Sequence, residues 1–245
     1  LKIAKATRYE NAGTVEFVRS KRGEFYYLEM NKRIQVEHLI TEMVTGVDIV
    51  EQQIRIADGE GLGLSQKEVE FNGAAMNCRI NAEDPSRNFA PSPGRIEEFV
   101  PPGGPGIRVD TAVIDGAVIP EYYDSLIAKV ASHGQTRGET IQRLKGALRE
   151  TIVAGVETTI PLHQAILEDK GFVRGDYHTQ LLDSKISTWN LKPQLSKEEV
   201  AMLRLTSNYP LSSTGKSPLQ NGQTRWRNTL QTEPTPRRPL FVEGL

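Results

Sequence analysis

The stretch "FYYLEMNKRIQVEH", Phe25 to His38, decides how the rest of the chain is read. Aromatic and aliphatic residues open it, and Tyr27, Glu29, Asn31, Arg33, Gln35 and Glu37 then fall at two-residue spacing. In a strand that period puts all of them on one face and leaves Leu28, Met30, Ile34 and Val36 on the other, as a core face. A solvated sheet edge accounts for an isolated polar face. Two carboxylates, two amides and a guanidinium in one row ask for more, and the flanking sequence has to supply it.

Upstream, "TVEFVRSKRGEFYYLEMN" reads as a hairpin, two β-rich runs around a polar turn that ends in Gly23. A tight turn at Arg22-Gly23 sets Lys21 opposite Glu24 and, counting back, Glu16 opposite Glu29. Like charges opposed across a ladder repel. At about 4 Å and an effective dielectric near 20 the repulsion is on the order of 4 kcal/mol, against about 1 in bulk water. A cation between the carboxylates removes the conflict, and Asn31 on the same face offers a third oxygen. Two carboxylates and an amide oxygen, without His or Cys, suit a hard ion such as Mg²⁺ that also holds substrate phosphates. A solvated pair of glutamates is the competing reading. Arg33, Gln35 and Glu37 extend the row with an anion clamp, an amide and a potential base. Cation site, anion site and base together suit the activation of an oxyanion by a nucleoside triphosphate.

The composition bounds the class. The chain has 245 residues, 38% hydrophobic and 25% charged, with a net charge of −1. Such a balance fits a soluble globular protein of one or two domains and gives no reason to expect nucleic-acid or anionic-membrane binding. One cysteine, Cys78, excludes an internal disulfide framework and a cysteine-only zinc site. No apolar run is long enough for a bilayer, and no signal peptide is expected. Leu1 reads as a cut through a helix already under way in "LKIAKA".

Three regions follow. Residues 1–70 carry the helix end, the hairpin and two helical stretches. The second of these, "VDIVEQQIRIADG", has Asp48 as N-cap, Glu51 to complete a capping box and Gly59 as a stop. Residues 71–185 open with short strands in "GAAMNCRINAED", "GRIEEFVPP", "IRVDTAV" and "DSLIAKVASHG". The helix "TRGETIQRLKGALRETIV" comes next, capped by Thr136 and Glu139, and then "TTIPLHQAILED" with Pro161 in its first turn. Residues 186–245 form a polar tail: "SKEEVAMLRL" reads as a helix capped at Ser196, and the remainder as extended or disordered. "GEGLG" (Gly59 to Gly63) follows a helix and so is no dinucleotide loop, and "TGKS" (Thr214 to Ser217) lacks the upstream glycine of a P-loop. Cys78 reads as a buried thiol, His38 as packed or hydrogen-bonded, and Lys129 as solvated. Asp124 either orients Arg79 or closes a turn.

"FYYLEMNKRIQVEHLITEMVTGVDIVEQQIRIADG", "CRINAEDP", "PSPGRI" and "YYDSLIAKV" resemble the biotin carboxylase family, and the likeness runs from Leu1 to about Ser184. It implies an α+β chain: the later part of an ATP-grasp domain, then a mixed α/β biotin carboxylase C-terminal domain. It also implies roles. Glu16, Glu29 and Asn31 would hold the Mg²⁺ (or Mn²⁺) of MgATP, while Arg33, Gln35 and the Val36 backbone would hold bicarbonate. Glu37 would deprotonate the bicarbonate for attack on the γ-phosphate, giving carboxyphosphate. Arg79 would stabilise the enolate of biotin, with a secondary contact to bicarbonate. Biotin would arrive on a biotin carboxyl carrier protein. The second partner would be the carboxyltransferase subunit, and a homodimer would form through the C-terminal domain. The setting would be an acyl-CoA or pyruvate carboxylase, in the cytoplasm or an organellar lumen, with fatty acid biosynthesis as one destination. The family's N-terminal domain, glycine-rich lid and phosphate-binding lysines have no counterpart in the sequence, so this stretch alone is expected to be inactive. Pro105 stands in "PPGGPG" where an aromatic residue is common near the dimer contact. Another ATP-grasp ligase and a non-catalytic assembly module are the alternatives.

Overall fold

In the computed structural model, residues 2–191 are described, and the chain runs from α1 (Lys2–Thr7) into a hairpin of β1 (Thr14–Arg19) and β2 (Phe25–Asn31). The hairpin loop is longer than the turn expected. Ser20 N–H donates to Glu24 O at 2.9 Å and Gly23 N–H to Ser20 O at 3.0 Å, so Lys21, Arg22 and Gly23 form the loop and Lys21 does not face Glu24. Gly23 takes φ +86°, the left-handed conformation that closes such a loop. Further along, Phe17 faces Tyr27 whereas Glu16 faces Glu29, which leaves Leu28 as a bulged residue. The longer loop and the bulge each shift the register by one residue in opposite senses. They cancel, and the two glutamates are opposed as expected.

β2 stops at Asn31. Residues 32–37 form a loop and turn, so Arg33, Gln35 and Glu37 leave the strand face on which the alternating pattern put them. His38 N–H reaches Gln35 O at 3.2 Å and Ile40 N–H reaches Glu37 O at 3.0 Å, which winds the chain into α2 (His38–Thr45). The expected core face of β2 is not a core either: Leu28 is 58% exposed, and Phe25, Tyr26 and Tyr27 are exposed as well. The ribbon has only two strands, and no further strand pairs with it among the described residues. α3 (Ile49–Ala57) begins as expected, with Asp48 accepting from Glu51 N–H at 2.8 Å. The capping box is half formed, because the Glu51 carboxylate turns to Arg55 at 2.7 Å instead of returning to the cap.

Residues 74–134 are mainly short strands: β3 (Ala74–Asn81), β4 (Glu83–Asp84), β5 (Ala90–Pro91), β6 (Gly94–Arg95), β7 (Glu98–Val100), β8 (Ile107–Thr111), β9 (Val118–Ile119) and β10 (Leu126–Gly134). The principal sheet is antiparallel with the order β3–β10–β8, and β4 pairs β5 while β6 pairs β9. α4 (Arg137–Glu150) lays Ile141, Leu144, Ala147 and Leu148 against Cys78, Ile80, Ala128 and Val130, and this is the core. The helix ends before the "TIV" that the sequence pattern included. Ile152–Ala154 is β11, paired with β7, as suits a β-branched run. α5 (Ile160–Glu168) carries Pro161 in its first turn, and α6 (Lys170–Arg174), α7 (Leu181–Lys185) and a single 3-10 turn (Ile186–Thr188) follow. The helix expected at Ser196 and the "TGKS" segment lie outside the described residues. No helix among the described residues is long and apolar enough to cross a membrane.

Charged side chains fasten α2 to the sheet. Glu42, 9% exposed, pairs with Arg108 at 2.6 Å and accepts from Ile49 N–H at 2.8 Å. Arg108 also holds Asp110 at 2.8 Å, and Asp110 holds Lys129 at 3.0 Å. Lys129, expected to be solvated, is therefore mostly buried and paired. Its partner comes from β8, which lies beside β10 only in three dimensions.

Candidate functional site

Glu16 on β1 meets Glu29 and Asn31 on β2. The Asn31 amide nitrogen donates to Glu16 Oε1 at 2.7 Å and to Glu29 Oε1 at 3.2 Å. It thus occupies the place between two carboxylates where a cation would relieve their repulsion. Gln35 Nε2 adds a bond to Glu16 Oε1 at 2.9 Å. A half-turn of the Asn31 amide brings Oδ1 inward and converts the cluster into three hard oxygen donors. Among the described residues no three His, Cys, Asp or Glu side chains converge. An ion here would have two carboxylates and an amide, a set suited to Mg²⁺ that keeps part of its water shell.

Beside this cluster lies an open cavity of about 350 Å³ whose wall includes Glu16, Arg33, Gln35, Glu37 and His38. Arg33 is exposed and donates to the neighbouring Ile34 carbonyl at 3.1 Å. His38 Nδ1 is 2.8 Å from Gln35 O, so Nδ1 carries the hydrogen, and Nε2 stands 4.0 Å from Glu42. That bond helps to shape the turn which presents Gln35, Val36 and Glu37. Glu37, just before α2, meets Arg79 from β3: Arg79 Nε donates to Glu37 Oε1 at 2.7 Å, and Nη2 reaches the same oxygen. Asp124 does not orient Arg79; its carboxylate accepts from Leu126 N–H at 2.8 Å and closes the turn into β10. Cys78, next to Arg79, points into the core, where burial pushes its thiol up to about 12.

Sequence reasoning missed what stands behind Arg79. Thr159 Oγ1 donates to the Arg79 carbonyl at 3.1 Å, and His163 Nε2 is 2.8 Å from the same oxygen. The only sequence signal was Pro161, which places Thr159 at the start of α5 and His163 one turn later.

A family profile described as the biotin carboxylase C-terminal domain matches residues 77–184, and one described as the carbamoyl-phosphate synthase L chain ATP binding domain matches residues 1–65. The chain is 54% identical over 185 residues to Biotin carboxylase 1 of Bacillus subtilis, covering 75% of this chain and 41% of that protein. It is 51% identical over 182 residues to the biotin carboxylase of a Nostoc species, covering 74% of this chain and 41% of that protein. Among solved structures, it resembles the biotin carboxylase domain dimer of Hydrogenobacter thermophilus 2-oxoglutarate carboxylase in complex with MgADP, ADP and bicarbonate. The identity is 48% and the TM-score 0.76, over 78% of this chain and 42% of that one. The chain thus spans about two fifths of the length of the relatives it matches.

Proposed function

Since the chain belongs to the biotin carboxylase family, with a partial ATP-grasp fold ahead of the C-terminal domain, we propose that it forms part of a site where ATP and bicarbonate carboxylate biotin held on a carrier protein. The observation that carries the reading is the convergence of Glu37, from the segment matched as ATP-binding, and Arg79, from the segment matched as the C-terminal domain, beside the Glu16–Glu29–Asn31 cluster. A base, a movable cation and a hard-ion donor set in one place are what phosphorylation of an oxyanion needs.

Glu16, Glu29 and Asn31 would hold Mg²⁺ (or Mn²⁺), which when bound neutralises charge on the transferring phosphate. Arg33, Gln35 and the Val36 N–H would hold bicarbonate. Glu37 takes the bicarbonate proton. The oxygen so freed attacks the γ-phosphorus, and the bond to the leaving oxygen breaks with its electron pair on ADP. Arg79 then faces the negative charge that develops on the ureido oxygen of biotin, where an oriented cation is most effective. The Glu37–Arg79 pair is about half exposed, so holding it contributes only about 0–1 kcal/mol. Substrate can open it at little cost, and opening releases both groups for their separate tasks.

Within a carboxylase assembly the partners are a biotin carboxyl carrier protein, the carboxyltransferase subunit, and a second copy docking through residues 71–185. The same reading places residues 1–70 in the ATP-binding part. A cytoplasmic setting belongs to it, as does fatty acid synthesis where the acceptor is an acyl-CoA. The test is made in the complete enzyme that contains this chain. Arg79→Ala should abolish carboxybiotin formation while bicarbonate-dependent ATP cleavage persists. Glu37→Ala should depress both by roughly 10²- to 10⁴-fold, the usual worth of a positioned base. Carboxylation that survives Arg79→Ala would show Arg79 to be a structural ion-pair partner only.

A further inference from the structure

Arg79 sits on an edge strand. In the order β3–β10–β8, β3 has a strand neighbour on one side only, and such an edge leaves backbone groups without ladder partners. On β3 the entry to α5 supplies them. Thr159 N–H donates to Asn81 O at 3.1 Å, Asn81 N–H donates to Thr159 Oγ1 at 3.0 Å, and Thr159 Oγ1 passes its own hydrogen to Arg79 O at 3.1 Å. His163, one helical turn on, adds its Nε2 to the same carbonyl at 2.8 Å. A carbonyl only accepts, so Nε2 carries the hydrogen. Burial lowers the imidazole's affinity for a second proton, the Arg79 carbonyl opposes this, and burial prevails. Either protonation state retains the Nε2–H, so the contact does not depend on pH.

We infer that Thr159 and His163 are positioning residues which fix the peptide plane of Arg79 and so aim its guanidinium at Glu37 and the substrates. This rests on the role given to Arg79 above. The guanidinium lies at the end of a long, half-exposed side chain whose bonds to Glu37 give way to substrate, whereas its backbone is held by Thr159 and His163. Rotation of that peptide displaces the cation, and a displacement of about 1 Å can cost 10²-fold in rate. Proton abstraction by Glu37 does not need Arg79 in place, so a loosened clamp should uncouple the two half-reactions instead of slowing both.

The experiment compares His163→Leu, Thr159→Val, His163→Gln and Arg79→Ala in the complete enzyme, measuring bicarbonate-dependent ADP release and carboxybiotin in parallel. Leu removes one donor to Arg79 O, Val removes the hydroxyl that donates to Arg79 O and accepts from Asn81 N–H, and both keep the bulk; the Gln amide nitrogen can occupy the place of Nε2. The expected result is a roughly 10-fold or greater fall in carboxybiotin per ADP for Leu and Val, an unchanged KM for MgATP, and recovery of coupling with Gln. A general loss of fold would lower both products together and leave their ratio intact. If Arg79→Ala abolishes carboxylation but neither Leu nor Val alters the ratio, the clamp is wrong and the role of Arg79 stands. If Arg79→Ala leaves carboxylation intact, both fall. Thr159→Val carries the test alone should His163→Leu fail to fold.

Discussion

At Asn31 the two readings of the Glu16–Glu29 pair can be separated. With its nitrogen inward, the amide satisfies both carboxylates as a neutral donor; with its oxygen inward, it becomes a ligand. Glu29→Gln in the complete enzyme removes one anionic donor and keeps the shape. It should raise the Mg²⁺ concentration needed for half-maximal turnover, measured by titrating Mg²⁺ at fixed ATP. A merely solvated Glu29 would change stability by no more than about 0.5 kcal/mol and leave the titration in place. Single residues were legible where their chemistry is local. Cys78, alternating with Arg79 on β3, was read as buried, and it is. Lys129 departs from its expected solvation because its partner comes from β8, which no nearby residue announces; of the two readings open for Asp124, the turn is the one that forms.

Among the elements, the same division holds for caps and strands. Asp48 and Thr136 were identified as N-caps from sequence, and each accepts a hydrogen bond from the backbone three residues on. A cap is decided within four residues, so sequence suffices. Thr136→Ala should cost about 0.5–2 kcal/mol, read as a lower urea midpoint with unchanged slope, and Thr136→Ser should recover most of it. α4 is the helix that covers the sheet, so the loss falls on the core and not on a frayed end. Strand limits were less legible. Alternation carried on from Tyr27 to Glu37, yet β2 stops at Asn31, because the Gln35–His38 turn and the helix it starts take over the backbone hydrogen bonds. The opposition of Glu16 and Glu29 was right although the turn was wrong, since Leu28 bulges by the one residue that the loop gained.

Over the whole molecule, the line Glu42–Arg108–Asp110–Lys129 connects α2, and with it the turn that presents Glu37, to the sheet that carries Arg79. Two parts of the chain far apart in sequence are thereby held in one frame. Asp110 is the group in this line whose titration can be followed. Burial alone would raise its carboxyl, but hydrogen bonds from Arg108 and Lys129, together with their charges, outweigh that and hold it below its ordinary value. A carboxylate depressed on folding contributes stability that is fully present above its unfolded value, near 3.9. The contribution is lost as pH falls through the lower folded value. The protein should therefore melt at a constant temperature from neutrality to about pH 5 as far as this group is concerned, and then at progressively lower temperatures toward pH 3. Asp110→Asn keeps the shape and removes the titration. It should lower the melting temperature at pH 7, because Arg108 and Lys129 lose their shared anion. It should also flatten the acid limb, so that the gap between wild type and variant narrows as pH falls below about 4. Parallel curves with a constant offset down to pH 3 would mean that Asp110 acts only through packing, and that the frame between Glu37 and Arg79 depends on Glu42 and Arg108 without it.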